Sequence, residues 1–360
     1  MTTEPKIGIC ALTLVPGVVG GSETYLRQLN AALAVSSAPK PHVFLPTIAA
    51  DAHEGLPHTI VKSYDARRGK LGRIQAMART FAFGSRVLEE LQLNTLDGMH
   101  FPFGTPIPRV TTIPTVATIV DVQHLDHPAF FSHAERAYRK VAYESSIRNS
   151  RFVITISQHA ADGIAAHTGT DPSKIRVIHL GVDLTRFQNP RIAERKNFLL
   201  YPANHWPHKN HRRLFEAFAR VRNHEPDLEL VLTGVGHETY DAPPGVRVMG
   251  RVSETELTLL YQTARAVVFP SLYEGFGLPP LEAMAADCPV ASSNTASLPE
   301  VCGEAARMFH PEDIDAMTQA ILDVLQNPEP FILAGRSQAR RFTWEACAKK
   351  HSAVYAELIK

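Results

Sequence analysis

Two glutamates, Glu274 and Glu282, lie eight positions apart, with a glycine-aromatic-glycine turn and two prolines between them. Residues 264–271 form an apolar run that is typical of a buried strand, and residues 280–286 indicate the opening of a helix with proline in its first turn. We therefore predict a strand, a glycine loop and a helix N-terminus. One carboxylate lies in the loop and the other in the first helical turn.

This kind of loop suits a diphosphate. Backbone N–H groups and the helix dipole favour an anion at a helix N-terminus, and glycine lets the backbone approach a ligand closely. In this interpretation Glu274 binds sugar hydroxyls, Glu282 binds a ribose, and Phe276, Gly277 and Leu278 line the donor site. The alternative is an acidic N-terminal cap on an ordinary helix.

The same segment resembles the retaining glycosyltransferases of family 4, in which EGFGLP lies inside an E-x7-E pattern. Further matches to that family run in order along nearly the whole chain: Gly20-Gly21-Ser22-Glu23-Thr24, Asp121 with Gln123-His124 and Pro128, Thr155-Ile156-Ser157, residues 177–183, Lys209-Asn210 and Gly234-Val235-Gly236. Their order and spacing carry the resemblance. It implies an α/β protein with the GT-B fold, two Rossmann-like domains facing each other across an interdomain cleft.

Composition excludes several other classes of protein. The 360 residues fit two domains better than one core. Lys and Arg total 37 against 36 Asp and Glu, a net charge of +1 that argues against non-specific binding of nucleic acid. No apolar run approaches the ~18 residues that span a bilayer, and the N-terminus leads into a strand rather than a signal sequence, so we expect a cytoplasmic protein.

The four cysteines are scattered and show no metal-ligand spacing, which indicates small buried hydrophobic residues.

Apolar strand patterns alternate with helical patterns in two successive cycles, which predicts parallel sheets. The first cycle has strand candidates at 7–12, 42–45, 98–101, 115–120 and 152–156, and helix candidates at 23–35, 71–92 and 134–149. The second has strand candidates at 197–201, 228–233, 246–249 and 266–270, and a helix candidate at 210–223.

These cycles define the predicted domains. Residues 1–185 form an N-terminal acceptor-binding domain, and residues 186–343 form a C-terminal domain that binds a nucleotide sugar. The charged, proline-bounded stretch 183–196 is the predicted linker. The resemblance implies that the last helix, within 344–360, packs back on the first domain.

Sugar transfer from a nucleotide requires a group that stabilises the departing diphosphate. The only DxD sequence, Asp313-Ile314-Asp315, lies at the start of a predicted surface helix, where capping explains it. We therefore expect no metal and no other cofactor, with the positive charge supplied by the protein. Lys209, just past the first strand of the second domain, is the leading candidate, and a solvated lysine at a helix start is the alternative.

The family often has an arginine five or six positions before this lysine, where this chain has Ala203 and Asn204. His205, His208 or the pair Arg212-Arg213 could take its place, or Lys209 could act with backbone N–H groups alone.

In the first domain, Asp121 and His124 follow the predicted strand 115–120 and are expected at the cleft. The resembling family frequently has a histidine directly before this aspartate, where Val120 stands here. Attention therefore shifts to Asp121 and His124 as catalytic candidates, although an aspartate after a strand is also a common turn former.

Glycines mark three further candidate positions. Gly20 and Gly21 are expected to bring the backbone close to the donor phosphates or the acceptor, with a plain turn as the alternative. Gly234 and the segment ending at Val252 lie at strand ends of the second domain, where the family binds its nucleotide. Glycine is common at strand ends for other reasons.

Residues 62–86 carry seven cationic side chains against Asp65 alone. A basic amphipathic segment suits an anionic membrane surface, on the inner face of the membrane, or a lipid-diphosphate acceptor. The alternative is a solvated helix packed on its domain.

The resemblance implies a retaining glycosyltransferase that moves a hexose or deoxyhexose from a nucleotide sugar to a glycan or lipid-linked acceptor. It also implies a front-face mechanism, in which the leaving phosphate accepts the proton of the acceptor. We favour mannose from GDP-mannose or a related deoxysugar as the donor. A nucleotide-sugar 2-epimerase and a non-catalytic sugar-binding protein on the same fold are the alternatives.

Overall fold

The computed structural model of the chain describes residues 5–17, 20–66, 84–188, 194–236 and 242–360. The chain divides into two compact units, one formed by Met1–Leu180 with Trp344–Lys360 and the other by Gly181–Thr343. Each unit contains one β-sheet, of seven and of six strands. The predicted α/β class with two Rossmann-like domains is confirmed.

The sheet of the first unit is parallel throughout and has the order β3-β2-β1-β4-β5-β6-β7. Its strands are β1 Ile7–Cys10, β2 His42–Leu45, β3 His58–Ile60, β4 Gly98–Phe101, β5 Thr115–Thr118, β6 Phe152–Thr155 and β7 Ile175–Val177. The chain starts in the middle, winds to one edge and then returns to wind to the other. Ligands of such sheets bind beyond the carboxyl ends of the central strands.

The helices of this unit are α1 Gly21–Val35, α2 Gln123–Asp126, α3 His133–Asn149, α4 Gln158–Thr168 and the C-terminal helix Trp344–Leu358, and residues 84–90 are also helical. A kinked pair of 3-10 turns lies at Thr47–His53, and single 3-10 turns lie at Leu93–Thr95, Pro128–Phe130 and Pro172–Lys174. Residues 67–83, which contain most of the predicted 71–92 helix and of the basic segment, lie outside the described residues.

The C-terminal helix joins the first unit through buried polar side chains. The hydroxyl of Tyr25 on α1 lies 2.8 Å from Nε2 of His351 and 3.0 Å from Oγ1 of Thr118. His100 on β4 lies 2.8 Å from Thr118 Oγ1 and 2.8 Å from the hydroxyl of Tyr355. All five side chains are buried, so this network ties the helix to β4, β5 and α1.

The sheet of the second unit is also parallel and has the order β10-β9-β8-β11-β12-β13. Its strands are β8 Lys196–Pro202, β9 Glu229–Thr233, β10 Val246–Gly250, β11 Ala264–Phe269, β12 Val290–Ser293 and β13 Ala306–Phe309. The winding direction changes between β8 and β11, which are hydrogen-bonded neighbours. The loops that follow these two strands therefore emerge side by side.

The helices of the second unit are α5 His211–Val221, α6 Glu254–Thr263, α7 Leu278–Ala285, α8 Leu298–Cys302, α9 Ile314–Gln326 and α10 Glu329–Ala339, with 3-10 turns at Leu184–Phe187, Pro207–Lys209 and Gly303–Ala305. Apolar residues of β8, β9, β11, α5 and α9 share one core. The ends of β8 and β11 pack into this core, and the candidate site is built on those ends.

The DxD sequence caps a helix, as predicted. Asp313 is the N-cap of α9 and its Oδ1 accepts a hydrogen bond from the N–H of Ala316 at 2.9 Å, while Asp315 forms an ion pair with Arg220. The four cysteines are buried and free, also as predicted. Among the helices that the structure describes, none combines the length and the apolar character needed to cross a bilayer.

Candidate active site

The turn after β8 places Lys209 at the end of the sheet. Lys209 is the last residue of the 3-10 turn Pro207–Lys209, and Asn210 follows it in the left-handed conformation, with φ of 60°. The side-chain amide of Asn210 donates to the carbonyl oxygens of Pro270, at 3.1 Å, and Pro311, at 2.7 Å. The turn is therefore tied directly to the residue that follows β11.

Lys209 and Glu274 are in contact, because they lie in the segments that follow the neighbouring strands β8 and β11. Lys209 Nζ donates to Glu274 Oε1 at 2.6 Å, and the two side chains are only 10% and 13% exposed. The ring of Phe269 lies 5.2 Å from Nζ, close enough for a cation–π contact. The solvated-lysine alternative is wrong, because this ammonium group is nearly buried and paired with one glutamate of the motif.

A buried serine, Ser297, hydrogen-bonds the backbone of the loop that contains Glu274 and Phe276. Ser297 Oγ lies 2.9 Å from the carbonyl oxygen of Glu274 and 2.6 Å from that of Phe276, so its hydroxyl donates to one of them at a time. Phe276 is buried and packs edge-on against Phe342. The backbone of the predicted donor-site loop is thus anchored to Ser297, while the ring of Phe276 is part of the core.

Gly277 has two structural reasons to be glycine. It is the N-cap of α7 with φ of 118°, which L side chains rarely adopt, and a Cβ there would lie 2.8 Å from Cδ2 of Leu298. Of the first three helical positions only Leu278 has an N–H, because Pro279 and Pro280 have none. Within these three positions, Leu278 is therefore the residue that can offer a backbone N–H to a diphosphate.

Glu282 is the fifth residue of α7, so its predicted place in the first turn is wrong, and so is the helix-cap alternative. Arg186 Nη1 donates to its Oε1 at 2.9 Å, and the hydroxyl of Tyr261 donates to its Oε2 at 2.9 Å. Burial raises the pKa of the Glu282 carboxyl, while Arg186 and Tyr261 oppose that rise. Sequence reasoning missed both partners, although Arg186 lies inside the predicted linker.

Ala203 and Asn204, which stand where the family often has an arginine, serve the neighbouring loop. Asn204 Oδ1 accepts a hydrogen bond from the N–H of Val235 at 2.9 Å. Gly234 has φ of 119°, and a Cβ there would lie 2.7 Å from the carbonyl oxygen of Ala203. Gly234 is therefore glycine because two loops pack backbone to backbone. Val252 is half-buried between β10 and the N-cap of α6.

Among the predicted substitutes for that arginine, Arg213 is engaged elsewhere. Its guanidinium donates to Asn210 Oδ1 at 3.2 Å and to Glu312 Oε1 at 2.8 Å. Arg212 is exposed. Within the described ranges, no group of three or more His, Cys, Asp or Glu side chains is arranged to hold a metal ion.

In the first unit, Asp121 lies three residues after β5 ends at Thr118. Its Oδ1 accepts a hydrogen bond from the N–H of Gln123 at 3.1 Å and lies 3.9 Å from Nη1 of Arg139. Asp121 therefore forms the turn that begins α2, and the guanidinium of Arg139 lies close to its carboxylate.

His124 lies on α2 and is enclosed by the unit. It is 1% exposed, and the ring of Tyr143 packs edge-on against it with centroids 5.2 Å apart. Neither ring nitrogen has a hydrogen-bond partner in the part of the chain that the structure describes. Burial, followed by the charge of Arg139, lowers the pKa of His124 to about 4, so the ring is neutral at pH 7.

Gly20 and Gly21 form the start of α1. Gly20 is its N-cap with φ of 53°, and a Cβ on Gly21 would meet nothing within 4 Å. Glu23 orders the loop by accepting a hydrogen bond from the N–H of Gly17 at 2.7 Å. The backbone of Gly21 is therefore sterically open at the start of α1, while residues 18–19 lie outside the described residues.

Comparisons with known proteins identify the family on both units. The family model described as Glycosyltransferase Family 4 matches residues 19–186, and the model described as Glycosyl transferases group 1 matches residues 183–341. The chain is 33% identical over 223 residues to the MMP alpha-(1->4)-mannosyltransferase of Mycolicibacterium hassiacum, covering 58% of this chain and 54% of that protein. It is 29% identical over 268 residues to the O-antigen chain mannosyltransferase B of Escherichia coli, covering 67% and 69%.

The chain thus spans about half the length of the first relative and about two thirds of the second. Among solved structures, the sucrose-phosphate synthase of Thermosynechococcus elongatus has a TM-score of 0.77 at 20% identity, with 99% of both chains covered. At that identity the likeness establishes the fold alone. Because the two family models together match residues 19–341, and each falls on one parallel-sheet unit, the chain belongs to glycosyltransferase family 4, with the GT-B fold.

Proposed function

We propose that this protein is a retaining glycosyltransferase that moves a hexose or deoxyhexose from a nucleotide sugar to a glycan or lipid-linked acceptor. The observation that carries the proposal is the nearly buried pair of Lys209 and Glu274, with Nζ and Oε1 2.6 Å apart at the carboxyl ends of β8 and β11.

The pair has the chemistry that a departing diphosphate requires. A lysine ammonium has three N–H donors, and Glu274 takes one of them, so two are left for phosphate oxygens. The hydrogen bond to Glu274 and the ring of Phe269 hold Nζ in place before the reaction begins. A cation positioned in advance stabilises the charge that develops on the leaving group without reorganisation during the reaction.

The two glutamates then have separate roles. Glu274, in the loop beside Lys209, accepts hydrogen bonds from hydroxyls of the donor sugar. Glu282, on α7 with Arg186 and Tyr261, accepts hydrogen bonds from the ribose of the nucleotide. Both relatives described above are named as mannosyltransferases, which supports mannose as the sugar and GDP-mannose as the first donor to test.

We propose further that the reaction needs no metal, since Lys209 supplies positive charge at the leaving group. Activity is then expected to persist in excess EDTA. Loss of activity in EDTA with recovery only on addition of Mn²⁺ or Mg²⁺ would contradict this part of the proposal.

The test of the activity is release of nucleoside diphosphate from GDP-mannose, UDP-glucose and dTDP-sugars, with and without glycan acceptors. Lys209→Ala is expected to lower turnover by at least ~10²-fold, comparable to the loss of one oxyanion donor. Lys196→Ala, an exposed lysine of the same unit, is the matched control and is expected to leave turnover unchanged. Wild-type turnover in Lys209→Ala would rule out the assignment.

The same assay separates the alternatives. Inversion at C2 of the sugar without transfer would indicate an epimerase, and binding of the nucleotide sugar without turnover would indicate a sugar-binding protein.

Residues 62–86 are proposed to contact an anionic membrane surface, on the basis of their seven cationic side chains. Co-sedimentation with phosphatidylglycerol vesicles, but not with phosphatidylcholine vesicles, is expected and should weaken at high salt. Equal sedimentation with both kinds of vesicle would contradict the contact.

A further inference from the structure

The carboxylate of Glu282 is held by two side chains that lie outside the E-x7-E motif. Arg186 Nη1 donates to Oε1 and the Tyr261 hydroxyl donates to Oε2, each at 2.9 Å. A carboxylate oxygen has two acceptor positions, so one position on each oxygen is left for a ligand. The arrangement presents two acceptors side by side, which matches two adjacent hydroxyl donors.

Arg186 is itself held in one orientation. Its Nε donates to Thr258 Oγ1 at 2.6 Å, and its Nη2 donates to the carbonyl oxygen of Glu254 at 3.4 Å. The ring of Phe187 lies 5.1 Å from Cζ, and the side chain is 15% exposed. A guanidinium fixed at both ends fixes the carboxylate that it binds.

The charges around Glu282 make Arg186 the group that favours its ionised form. The titratable groups facing the carboxyl are Arg186 from the turn Leu184–Phe187 and Tyr261 and Glu254 from α6. Burial opposes ionisation of Glu282 and so does the exposed Glu254, whereas Arg186 and the hydrogen bond from Tyr261 favour it. The pKa of Tyr261 lies well above its ordinary value because of burial, so its hydroxyl stays a donor. Without Arg186 the pKa of the carboxyl is expected to rise further, and its protonated form would offer an O–H where a ligand hydroxyl needs an acceptor.

We propose that Arg186 is a positioning residue for the donor nucleotide, which holds Glu282 in the orientation and the charge state needed to accept hydrogen bonds from two hydroxyls of a ribose. This inference rests on the proposed function, because it takes Glu282 as the ribose-binding residue. The turn Leu184–Phe187, which lies near the start of the second unit, would then take part in donor binding.

The test compares wild type with Arg186→Gln, Arg186→Lys and a control, Arg247→Gln. Arg247 forms a half-exposed ion pair with Glu229 in the same unit, and neither residue belongs to the candidate site. Folding of each variant is checked by thermal denaturation. Two measurements are then made on each protein.

The first measurement needs no ligand. A ¹³C NMR titration follows the carboxyl carbon of Glu282 in protein labelled at glutamate, with Glu282→Gln used for assignment. The midpoint is expected to rise by about 1–3 pH units in Arg186→Gln, the usual effect of losing an adjacent opposite charge, and to stay near wild type in Arg247→Gln.

The second measurement is calorimetric binding of GDP, UDP and dTDP between pH 6 and pH 9. In Arg186→Gln the affinity for the nucleotide that wild type binds is expected to fall by about tenfold or more at pH 6 and to recover only in part as the pH rises, because the ionised fraction of Glu282 recovers but its orientation by the guanidinium does not. Arg186→Lys keeps the charge but loses the planar fork, so its midpoint should stay near wild type while its affinity falls several-fold at every pH.

An unchanged titration midpoint in Arg186→Gln would overturn the inference, and so would a shifted midpoint with wild-type nucleotide affinity at every pH. If Arg186→Gln does not fold, wild-type affinity in Arg186→Lys overturns it. Failure of the proposed function is seen separately, as wild-type protein that binds none of the three nucleotides.

Discussion

At the scale of single residues, the two glutamates of the motif differ in the partner that each one holds. Glu274 is paired with a lysine ammonium group, whereas Glu282 is bound by a guanidinium and a phenol. The first pair lies in a loop and the second lies on a helix. Conservative changes at these positions should therefore have different effects on turnover and on nucleotide binding.

Glu274→Gln keeps the shape of the side chain but weakens the charge-assisted bonds to Lys209 and to sugar hydroxyls, so turnover should fall while affinity for the free nucleoside diphosphate changes little. Glu282→Gln should weaken nucleotide binding by roughly 1–3 kcal/mol through weaker bonds to ribose. Steady-state kinetics and calorimetry on the same preparations measure both. If both variants bind the nucleoside diphosphate as tightly as wild type does, Glu282 does not bind the ribose.

Sequence could predict Lys209 and Glu274 as candidates but not their contact, which depends on the neighbouring positions of β8 and β11 in the sheet. Arg186 lies 96 residues before Glu282, and no local pattern links an arginine in a linker to a carboxylate on a distant helix. The burial of His124 also depends on Tyr143, on another helix. The Lys209–Glu274 contact, the Arg186–Glu282 contact and the burial of His124 all depend on tertiary packing, which no local sequence pattern reports.

At the scale of elements, the strands β8 and β11 that carry the candidate site and most long helices were predictable because each has a clear apolar pattern. Strands β3, β7, β12 and β13 were missed. Strand β12 ends in two serines and β13 contains an arginine, so neither four-residue strand is a clear apolar run. Strands β3 and β7 are edge strands of three partly exposed residues that mix polar and apolar side chains. Strands this short leave no run or alternation to recognise. The candidate site depends on β8 and β11, so its framework followed from the sequence even though these four strands did not.

Two glycines at the ends of elements differ in the space around them: Gly234 is crowded by the backbone of another loop, whereas Gly21 is open. Gly234→Ala forces a Cβ to within 2.7 Å of a backbone oxygen at φ of 119°, and we expect a loss of stability of about 1–3 kcal/mol. Gly21→Ala adds a Cβ to open space at the start of α1 and should change stability by no more than about 0.5 kcal/mol. Urea denaturation measures both. Equal losses in the two variants would contradict the packing of the loop after β9.

At the scale of the whole molecule, the C-terminal helix is attached by a hydrogen-bond chain with one defined direction. His351 Nδ1 lies 2.9 Å from the carbonyl oxygen of Cys347, which can only accept, so Nδ1 carries the proton and Nε2 accepts from Tyr25. Tyr25 then accepts from Thr118, and Thr118 accepts from His100. Each buried side chain of this network has all its hydrogen-bond partners only when His351 and His100 are both neutral.

This hydrogen-bond network predicts that the folded protein loses stability in weak acid. Burial lowers the pKa of His351 to about 4 from its ordinary value of 6.5. The unfolded chain therefore takes up a proton as the pH falls through about 6.5, and the folded chain does so only near 4, so stability present above pH 6.5 is lost progressively between these values. Between pH 7.5 and pH 5 this histidine should account for a loss of about 2 kcal/mol.

Urea denaturation of wild type and His351→Gln at the two pH values checks the prediction, because glutamine does not titrate. The variant should lose about 2 kcal/mol less than wild type on acidification, whatever its stability at pH 7.5. Equal losses would show that His351 is not held neutral in the folded chain.

The central claim for the whole protein is transfer from a nucleotide sugar with retention of configuration at the anomeric carbon. The most direct measurement is ¹H NMR of the sugar released by slow hydrolysis of the donor, recorded before mutarotation, because it needs no acceptor. We predict cleavage of a nucleotide sugar that releases the sugar first in the anomeric configuration it has in the donor, and at least ~10²-fold slower release in Lys209→Ala. Release of the opposite anomer first, or cleavage that does not depend on Lys209, would contradict the account.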